Sequence, residues 1–292
     1  MVFPNNGVVE APEITPSPYG LLSVAKPENS TDEDQWVRGF SQEWETELYS
    51  AKVWDDTDTT SHTIASNATP SRHLRVKPFF IEVEEVISTF GFTALDRMAR
   101  ISRQLEGVTQ KAIEHELWIG TIRAAQTHDN KALTTASGVT ILNSGTALSA
   151  RRALALLEHR ISDISHCGEQ GVIHMTKDVA SLLASNSQML FHAEGKDHLQ
   201  TFGGTPVVLG SGYSGSGPVG DAGAAASPTN KWMFATGTVR VYLGKVDVVN
   251  DGYNQAYNNT TNTNDMRLKA IRPAAVYFDS SIHIAVRVDL TA

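Results

Sequence analysis

A long amphipathic stretch over about residues 93–127 is the sequence feature that most constrains the fold. Its apolar side chains recur at steps of three and four residues, the spacing of one helix face: Leu95, Met98, Ile101, Leu105, Val108, Ala112 and Ile113. Thr93 followed by Asp96 predicts a capping box at the start. Such a helix would be on the order of 50 Å long, and Gly107 and Gly120 predict a bend or an early end. The chain is therefore expected to fold around one helix that crosses a whole domain.

The proline-rich amino-terminal residues predict a segment without a core of its own. Five of the eleven prolines fall within the first 35 residues. Proline removes a backbone donor and resists helix formation, and polar, proline-rich segments bury little apolar surface. Residues 1–41 are therefore predicted to form an extended arm that becomes ordered against a neighbouring chain.

A polar run between two apolar stretches predicts a hairpin over residues 42–80. The run DDTDTTSHTIASNATPSR lies between the amphipathic residues 44–54 and the segment LRVKPFFIEVEEVIS. β-Favouring residues on both sides of a polar tip are typical of a long, exposed β-hairpin. Polar loops of this length are uncommon inside compact domains and usually carry a function.

Helices and strands alternate in the remainder of the chain, which predicts an α/β unit. SARRALALLEHRISDI has a helical apolar stripe, GVIHM is a short strand, and TKDVASLLAS begins a helix with Thr176 as its N-cap. Residues 203–228 hold eight of the 22 glycines and predict a loop. Residues 266–274 are compatible with a short helix or a strand. Strict alternation of apolar and other residues over 282–290 predicts a strand with one buried face.

Composition and charge exclude several classes of protein. The net charge of -8 disfavours direct binding of nucleic acid, although an acidic container around DNA remains compatible with it. The single cysteine, Cys167, fits a reducing cytosol. No apolar run is long enough for a membrane span, and the first residues do not resemble a secretory signal.

A dinucleotide-binding motif is the strongest chemical match, and its context argues against it. Gly210, Gly212 and Gly215 spell G-x-G-x-x-G after the strand-like segment PVVL. Pro218 and further glycines follow, so the helix that would receive the pyrophosphate is not expected. A flexible surface loop is the preferred interpretation.

Other candidate sites also lack the spacing that their chemistry needs. His159, His166, Cys167 and His174 lie close in sequence without a zinc-ligand spacing. His115 and Glu116 open an H-E-x-x-H motif, but position 119 is isoleucine. The remaining acidic candidates are a calcium loop without its glycine and closing glutamate, and a group of strand carboxylates: Asp55, Asp56, Asp58, Glu82, Glu84 and Glu85. We therefore predict no catalytic, cofactor-binding or metal-binding residues and no enzyme activity.

Three segments in this order resemble the major capsid proteins of tailed bacteriophages. They are FGGTPVVL at 202–209, WMFATGTVRVY at 232–242 and RLKAIRPAAV at 267–276. With the arm, hairpin and long helix before them, they resemble the Hong Kong 97-type family over about residues 36–292, particularly members from phages of actinobacteria.

The resemblance implies an α+β fold with five parts. These are an N-arm (1–41), an extended β-hairpin loop (42–80), a peripheral domain with a long spine helix (81–130), an α/β axial domain (131–236) and closing strands (237–292). It also implies self-assembly into pentamers and hexamers, a separate scaffolding protein, a portal, and in some cases decoration proteins. The shell would enclose double-stranded DNA without sequence-specific binding or a membrane, after assembly in the bacterial cytoplasm.

Some members of this family join neighbouring subunits by covalent Lys–Asn cross-links. Lys52 and Lys77 flank the predicted hairpin, but no matching asparagine and carboxylate can be identified, so no cross-link is predicted. Three alternative functions remain open. The first is an encapsulin-like nanocompartment shell, which shares the fold, and the second is a nucleotide-binding enzyme built on the glycine-rich loop. The third is a tail or head-decoration component, which would be present in few copies per particle.

Overall fold

The computed structural model describes residues 17–44, 72–88, 94–120, 131–164, 171–187, 190–192, 198–250, 257–258 and 263–291. These residues form two large β-sheets that share a long helix between them, and a separate two-stranded sheet. Within the described part of the chain, no helix has the length and apolar character needed to cross a bilayer.

The described residues contain five α-helices, a 3-10 helix (Leu142–Gly145) and sixteen strands. The helices are α1 (Leu21–Val24), α2 (Glu33–Arg38), α3 (Ala94–Ile119), α4 (Ala150–Ile164) and α5 (Lys177–Ser187). The strands before the glycine-rich segment are β1 (Glu28–Asn29), β2 (Phe40–Trp44), β3 (Arg72–Val76), β4 (Phe79–Ser88), β5 (Thr140–Ile141), β6 (Leu148–Ser149), β7 (Val172–Met175), β8 (Leu190–His192), β9 (Leu199–Thr201) and β10 (Pro206–Leu209). The strands after it are β11 (Asn230–Thr236), β12 (Val239–Leu243), β13 (Asp247–Asn250), β14 (Tyr257–Asn258), β15 (Thr263–Phe278) and β16 (His283–Asp289).

The eight-stranded sheet has the order β5-β16-β11-β7-β10-β9-β8, with β6 also paired to β16. Helices α4 and α5 cover one face, where Leu154, Leu157 and Val179 pack in one apolar cluster with β16. Helix α3 lies on the other face, where Trp118 and Phe234 belong to a second cluster. Both faces of this sheet are therefore buried.

The final strand differs from the prediction of one buried face. On β16, Ile284, Val286 and Val288 face the cluster under α4 and α5, as the alternation indicates. His283 and Ala285, on the opposite face, are also buried. The strand lies inside a sheet with helices on both sides, so both sets of side chains leave water.

The six-stranded sheet is organised by the 16-residue strand β15, which pairs with β4, β12, β13 and β14. Residues 266–274, for which helix and strand were both considered, lie within β15. One face of the sheet packs on α3, where Ile101, Leu105 and Leu268 share a cluster. The two sheets are thereby held on different parts of the same helix.

Two of the chain's crossings between the two large sheets lie side by side. One crossing runs from β11 to β12 and the other from β15 to β16. The two crossings are hydrogen-bonded to each other, because Asp279 N–H donates to Thr238 O at 3.0 Å and Gly237 N–H donates to Ile282 O at 3.1 Å. They form a short two-stranded ribbon between the sheets.

Helix α3 confirms the predicted long helix, with a shorter length. Its 26 residues end at Ile119, which corresponds to about 39 Å, and Gly120 follows with a φ of +66°. Gly107 lies inside the helix without ending it. Val108 is exposed, so the buried face turns away from that residue and continues through Leu117 and Trp118. Thr93, the predicted capping residue, lies outside the described residues.

Antiparallel pairing of β2 with β3 agrees with the predicted hairpin. Phe40 lies opposite Val76 and Trp44 opposite Arg72. The predicted second arm is divided in two, because β3 ends at Val76 and β4 joins the six-stranded sheet instead. The polar tip, with Lys52, lies outside the described residues, and Lys77 is exposed.

The amino-terminal arm differs from the prediction over its second half. Residues 17–38 are not a segment without a core, because Leu21 is completely buried and belongs to the cluster around α3. Leu209 N–H donates to Tyr19 O at 2.8 Å, and β1 pairs with β12. The buried side chains belong to the short apolar run GLLSVA. The surrounding prolines led the sequence analysis to predict an extended segment here. Residues 1–16 lie outside the described residues.

The start of α5 also corrects a detail of the prediction. Thr176 precedes the helix, and its carbonyl accepts a hydrogen bond from Ala180 N–H at 3.1 Å. The Thr176 hydroxyl is buried and makes no hydrogen bond, so it does not cap the helix. The hydrogen bond that the Thr176 carbonyl accepts is sufficient to hold the first turn of α5.

Candidate functional site: a buried polar junction and an exposed apolar surface

The glycine-rich segment is a packed loop and not a flexible surface loop. Gly210, Gly212, Gly215 and Gly217 are all buried. A Cβ atom added at Gly212 would lie 2.3 Å from the Lys111 carbonyl oxygen on α3, and one added at Gly217 would lie 2.3 Å from the Trp232 indole. Glycine is needed at these positions because only a missing side chain allows such close approach. The prediction of a mobile loop was wrong since the glycines serve packing.

The same geometry argues against a dinucleotide site. Residues 198–250 are described throughout, and they contain no helix after the motif. The backbone at Gly212 approaches α3, so the space that a pyrophosphate would need is occupied by protein. The G-x-G-x-x-G spelling therefore lacks the strand–turn–helix context that defines the nucleotide motif.

A buried carboxylate joins three separate parts of the chain. Glu114, on α3, is completely buried. Its Oε1 accepts from Leu21 N–H at 3.0 Å and from Gln110 Nε2 at 2.9 Å. Its Oε2 accepts from Ser211 Oγ at 3.1 Å and from Gly212 N–H at 2.9 Å. Four donors thus compensate the burial of one charge, and they tie the amino-terminal segment and the glycine-rich loop to α3.

A second buried polar group lies beside this carboxylate and reaches into the eight-stranded sheet. His174 Nδ1 is 2.8 Å from Tyr213 Oη, and His174 Nε2 is 3.0 Å from Thr236 Oγ1. The Thr236 hydroxyl donates to Gly237 O at 2.9 Å, so its oxygen must accept from Nε2–H. Nδ1 then accepts from the Tyr213 hydroxyl, which assigns the neutral tautomer of His174.

Burial keeps these groups uncharged. It lowers the pKa of His174 to about 3, with a further contribution from the charge of His283. It raises the pKa of Tyr213 well above its usual value, with Glu114 adding to the effect. His283 itself is buried, and its Nε2 lies 3.0 Å from Leu133 O. Burial lowers the pKa of His283 to about 4, although the bond to Leu133 opposes the shift.

These two histidines predict a loss of stability in mild acid. In the unfolded chain both titrate near 6.5, whereas in the folded chain they stay neutral down to about 3 and 4. Between those values the unfolded state binds more protons, so stability falls as the pH decreases below about 6.5. We expect a decrease in the free energy of unfolding of about 2 kcal/mol per histidine between pH 7 and pH 5. Denaturant titration of the purified chain at each pH measures it.

The matched control is the double variant His174→Gln, His283→Gln. It removes both titrating groups and should flatten the dependence on pH above pH 5, whatever its absolute stability. An unchanged slope in the double variant would show that other groups carry the effect.

The described histidine candidates do not come together as metal ligands. His159 is exposed on α4, 3.8 Å from Asp163, while His174 is occupied by its hydrogen bonds. His166 and Cys167 lie outside the described residues, as do Asp55, Asp56 and Asp58. Among the described residues, no three histidine, cysteine or carboxylate side chains converge as metal ligands. His115 is exposed on α3, and the adjacent Glu116 is buried.

The carboxylates of β4 pair with cations of the same chain. Glu82 and Glu84 share one face of the strand and form ion pairs with Lys269 and Arg267 of β15. Glu85, on the other face, lies 3.3 Å from Arg100 of α3. The sequence placed Glu82 and Glu84 on one face correctly, but it did not reveal that their partners lie across the sheet.

The surface carries several large apolar side chains that the chain does not cover. Phe202 is 92% exposed, and the others lie on α2, on the glycine-rich segment and on β4: Val37, Val219, Phe80 and Val86. Phe80 and Val108 line a groove between β4 and α3 that also contains Glu82, Lys111 and His115. Exposed apolar side chains bordered by charges are typical of surfaces that meet another macromolecule.

The two sheets, the helix between them and the paired β2–β3 arms define a class of fold. The chain has the Hong Kong 97-type capsid fold, as the sequence predicted. No protein-family model matches the chain, and no curated protein matches it in sequence.

Individual solved structures show how far the likeness extends. The capsid of an empty GTA particle is similar over 99% of this chain and 95% of that chain, with a TM-score of 0.61 and 12% identity. The capsid of cyanophage Pam1 is similar over 90% and 88%, with a TM-score of 0.52 and 12% identity. A structure from Gordonia phage Cozz is similar over 93% and 87%, with a TM-score of 0.50 and 12% identity.

Proposed function

We propose that this chain is the major capsid protein of a tailed bacteriophage. The observation that carries the proposal is the likeness to the capsid of the GTA particle, which spans nearly the full length of both chains. A likeness over the whole chain includes the amino-terminal segment and the β2–β3 arms, and not only a shared core. The chain would assemble into pentamers and hexamers that form the icosahedral head around double-stranded DNA.

The surface of the subunit supports this role. Uncovered apolar side chains on several elements fit a protein that buries area against many neighbours. The net charge of -8 keeps subunits soluble before assembly and disfavours tight binding of the enclosed DNA. A shell that encloses DNA does not need to bind its phosphates tightly.

The proposal includes the absence of catalysis. Both carboxylate oxygens of Glu114 and both ring nitrogens of His174 are engaged in hydrogen bonds within the chain. Glu114 is completely buried, and so is His174. A general acid or base must reach the proton that it transfers, so these groups stabilise the fold instead.

The partners follow from the same role. We place a scaffolding protein, a portal and, in some heads, decoration proteins beside copies of this chain. Assembly would occur in the cytoplasm of the bacterial host, and the mature location would be the virion.

Electron microscopy of the purified chain after size-exclusion chromatography tests the proposal. We expect closed shells, tubes, or rings of five and six, because the exposed apolar surface favours association over the isolated monomer. If the chain does not assemble by itself, the experiment is repeated with a scaffolding protein added. A monomer or dimer under both conditions would contradict the proposal.

The contents of particles purified from infected cells separate the two kinds of shell. DNA inside them supports a phage head, whereas protein cargo without DNA would support a nanocompartment. Saturable binding of a nucleotide to the folded chain in calorimetry would support an enzyme instead.

A further inference from the structure

The turn between β9 and β10 holds a phenylalanine away from the body of the subunit. Phe202 is 92% exposed, while Thr201 before it and Thr205 after it are both buried. Phe202 and Gly203 are thus the exposed residues of this turn, and Phe202 carries its only large apolar side chain. Its sequence neighbours Gly203 and Gly204 have no side chains that could cover it.

Hydrogen bonds make this turn stiff. Gly204 N–H donates to Thr201 O at 3.0 Å, and Thr201 N–H donates to Thr205 O at 3.0 Å. Thr205 N–H donates to the Thr201 hydroxyl oxygen at 3.2 Å. That hydroxyl donates in turn to the carboxylate of Glu158 on α4. The turn is thereby anchored to the sheet and to a helix at the same time.

Glycines fix the path of the chain beside the ring. Gly204 has a φ of +85°, a conformation that side chains disfavour. A Cβ atom at Gly203 would lie 2.3 Å from Glu158 Oε2. The backbone on the carboxyl side of Phe202 is therefore held against Glu158, and the ring projects from a preorganised support.

We propose that Phe202 is an anchor of the contact between neighbouring copies of this chain, an inference that rests on the proposed function. A rigidly held aromatic loses little conformational freedom on binding, which is the property of side chains that dominate interfaces. In the part of the chain that the structure describes, no side chain buries the ring, which is 92% exposed. The partner surface is an apolar pocket on the adjacent copy.

The single projecting side chain of Phe202 indicates that its partner is a second copy of this chain in a ring-shaped oligomer. Rings of five and six are built from heterologous contacts, in which each subunit presents one surface and receives a different one. Phe202 is a single projecting ring whose neighbours in the turn are threonines and glycines. Two Phe202 side chains that meet each other about a two-fold axis would bury little area. One Phe202 side chain that enters a pocket would be covered.

The first test compares the assembly of Phe202→Ser and Phe202→Leu with that of the wild-type chain. We expect Phe202→Ser to raise the subunit concentration needed for rings or shells at least tenfold, and Phe202→Leu to assemble nearly as the wild-type chain does. The thermal midpoint of unassembled subunits should be nearly the same in all three chains, because the Phe202 side chain is 92% exposed. Assembly of Phe202→Ser at the wild-type concentration would overturn the inference and leave the proposed function intact.

The second test identifies the partner of the ring. Phe202 is replaced by the photoreactive p-benzoylphenylalanine, and assembled particles are irradiated. A cross-linked dimer of this chain on a denaturing gel supports the inference, and peptide mass spectrometry locates the receiving pocket. Cross-links within one chain, or to a different protein such as a scaffolding protein, would overturn it. Failure of the wild-type chain itself to assemble would instead contradict the proposed function, and this inference with it.

Discussion

Replacement of Glu114 by alanine is expected to lower the free energy of unfolding by about 4 kcal/mol. The substitution removes the acceptor for Leu21 N–H, Gln110 Nε2, Ser211 Oγ and Gly212 N–H. Several of these donors are buried and would remain without a partner, which costs more than the bonds themselves contribute. Denaturant titration of unassembled subunits measures the loss.

Two further variants make this prediction specific. Glu106 is exposed on the same helix, so Glu106→Ala removes a glutamate of equal helix propensity and should change stability by less than about 0.5 kcal/mol. Glu114→Gln retains one acceptor oxygen but turns an amide N–H₂ toward donors, and should lose about half as much as Glu114→Ala. Equal stability of Glu114→Ala and Glu106→Ala would show that the junction does not stabilise the fold.

Replacement of Trp118 by alanine should destabilise the subunit by a similar amount, about 4 kcal/mol. Trp118 is completely buried, and its ring centre lies 4.5 Å from that of Tyr213 and 5.0 Å from that of Phe234. Its indole N–H donates to Ser216 O at 3.0 Å. The substitution leaves a cavity between α3, the glycine-rich loop and the eight-stranded sheet. The midpoint of denaturant unfolding measures the effect.

The neighbouring residue provides the control for Trp118. Ile119 is 37% exposed at the end of α3, and Ile119→Ala should cost less than about 1 kcal/mol because little volume is lost from the core. Trp118→Phe fills most of the cavity and removes only the indole hydrogen bond, so an intermediate loss of about 1.5 kcal/mol is expected. If Trp118→Ala and Ile119→Ala were equally stable, the indole would not hold the two sheets on α3.

Elements with a strong apolar period were predictable from the sequence. The spacing of Ile101, Leu105 and Ile113 predicts α3, and that of Leu154 and Leu157 predicts α4, because each helix buries one face. The end of α3 was less predictable, since its last turns are buried and the apolar pattern continues beyond them. Gly120, with its positive φ, is the signal that ends the helix.

The packing of the amino-terminal segment was hidden by local composition. Pro18 and Pro27 bracket the short apolar run that contains Leu21, and prolines outweigh so short a run in any composition-based prediction. The burial of Leu21 depends on α3 and β10, which are far away in sequence. Contacts between residues far apart in the sequence produce no periodic pattern of apolar residues.

The polar junction could not be predicted for a related reason. Glu114 is a charged residue within an amphipathic helix, and the default expectation for it is the solvated face. Its burial is compensated by donors at Leu21, Ser211 and Gly212, which the sequence does not bring together. The closely packed Gly212 was misread for the same reason, because glycine content alone does not distinguish a mobile loop from one pressed against a helix.

The ribbon that joins the two sheets has a mechanical consequence. Its two chain crossings are hydrogen-bonded side by side through Thr238 and Asp279, so they can bend together but cannot slide past each other. Outside the ribbon, the sheets are connected through the contacts of α3, of which the Glu114 junction is the most polar. Outward pressure on a shell built from such subunits would therefore be carried by the ribbon and by the contacts of α3, and loss of the Glu114 junction would increase the load on the ribbon and on the packing around Trp118.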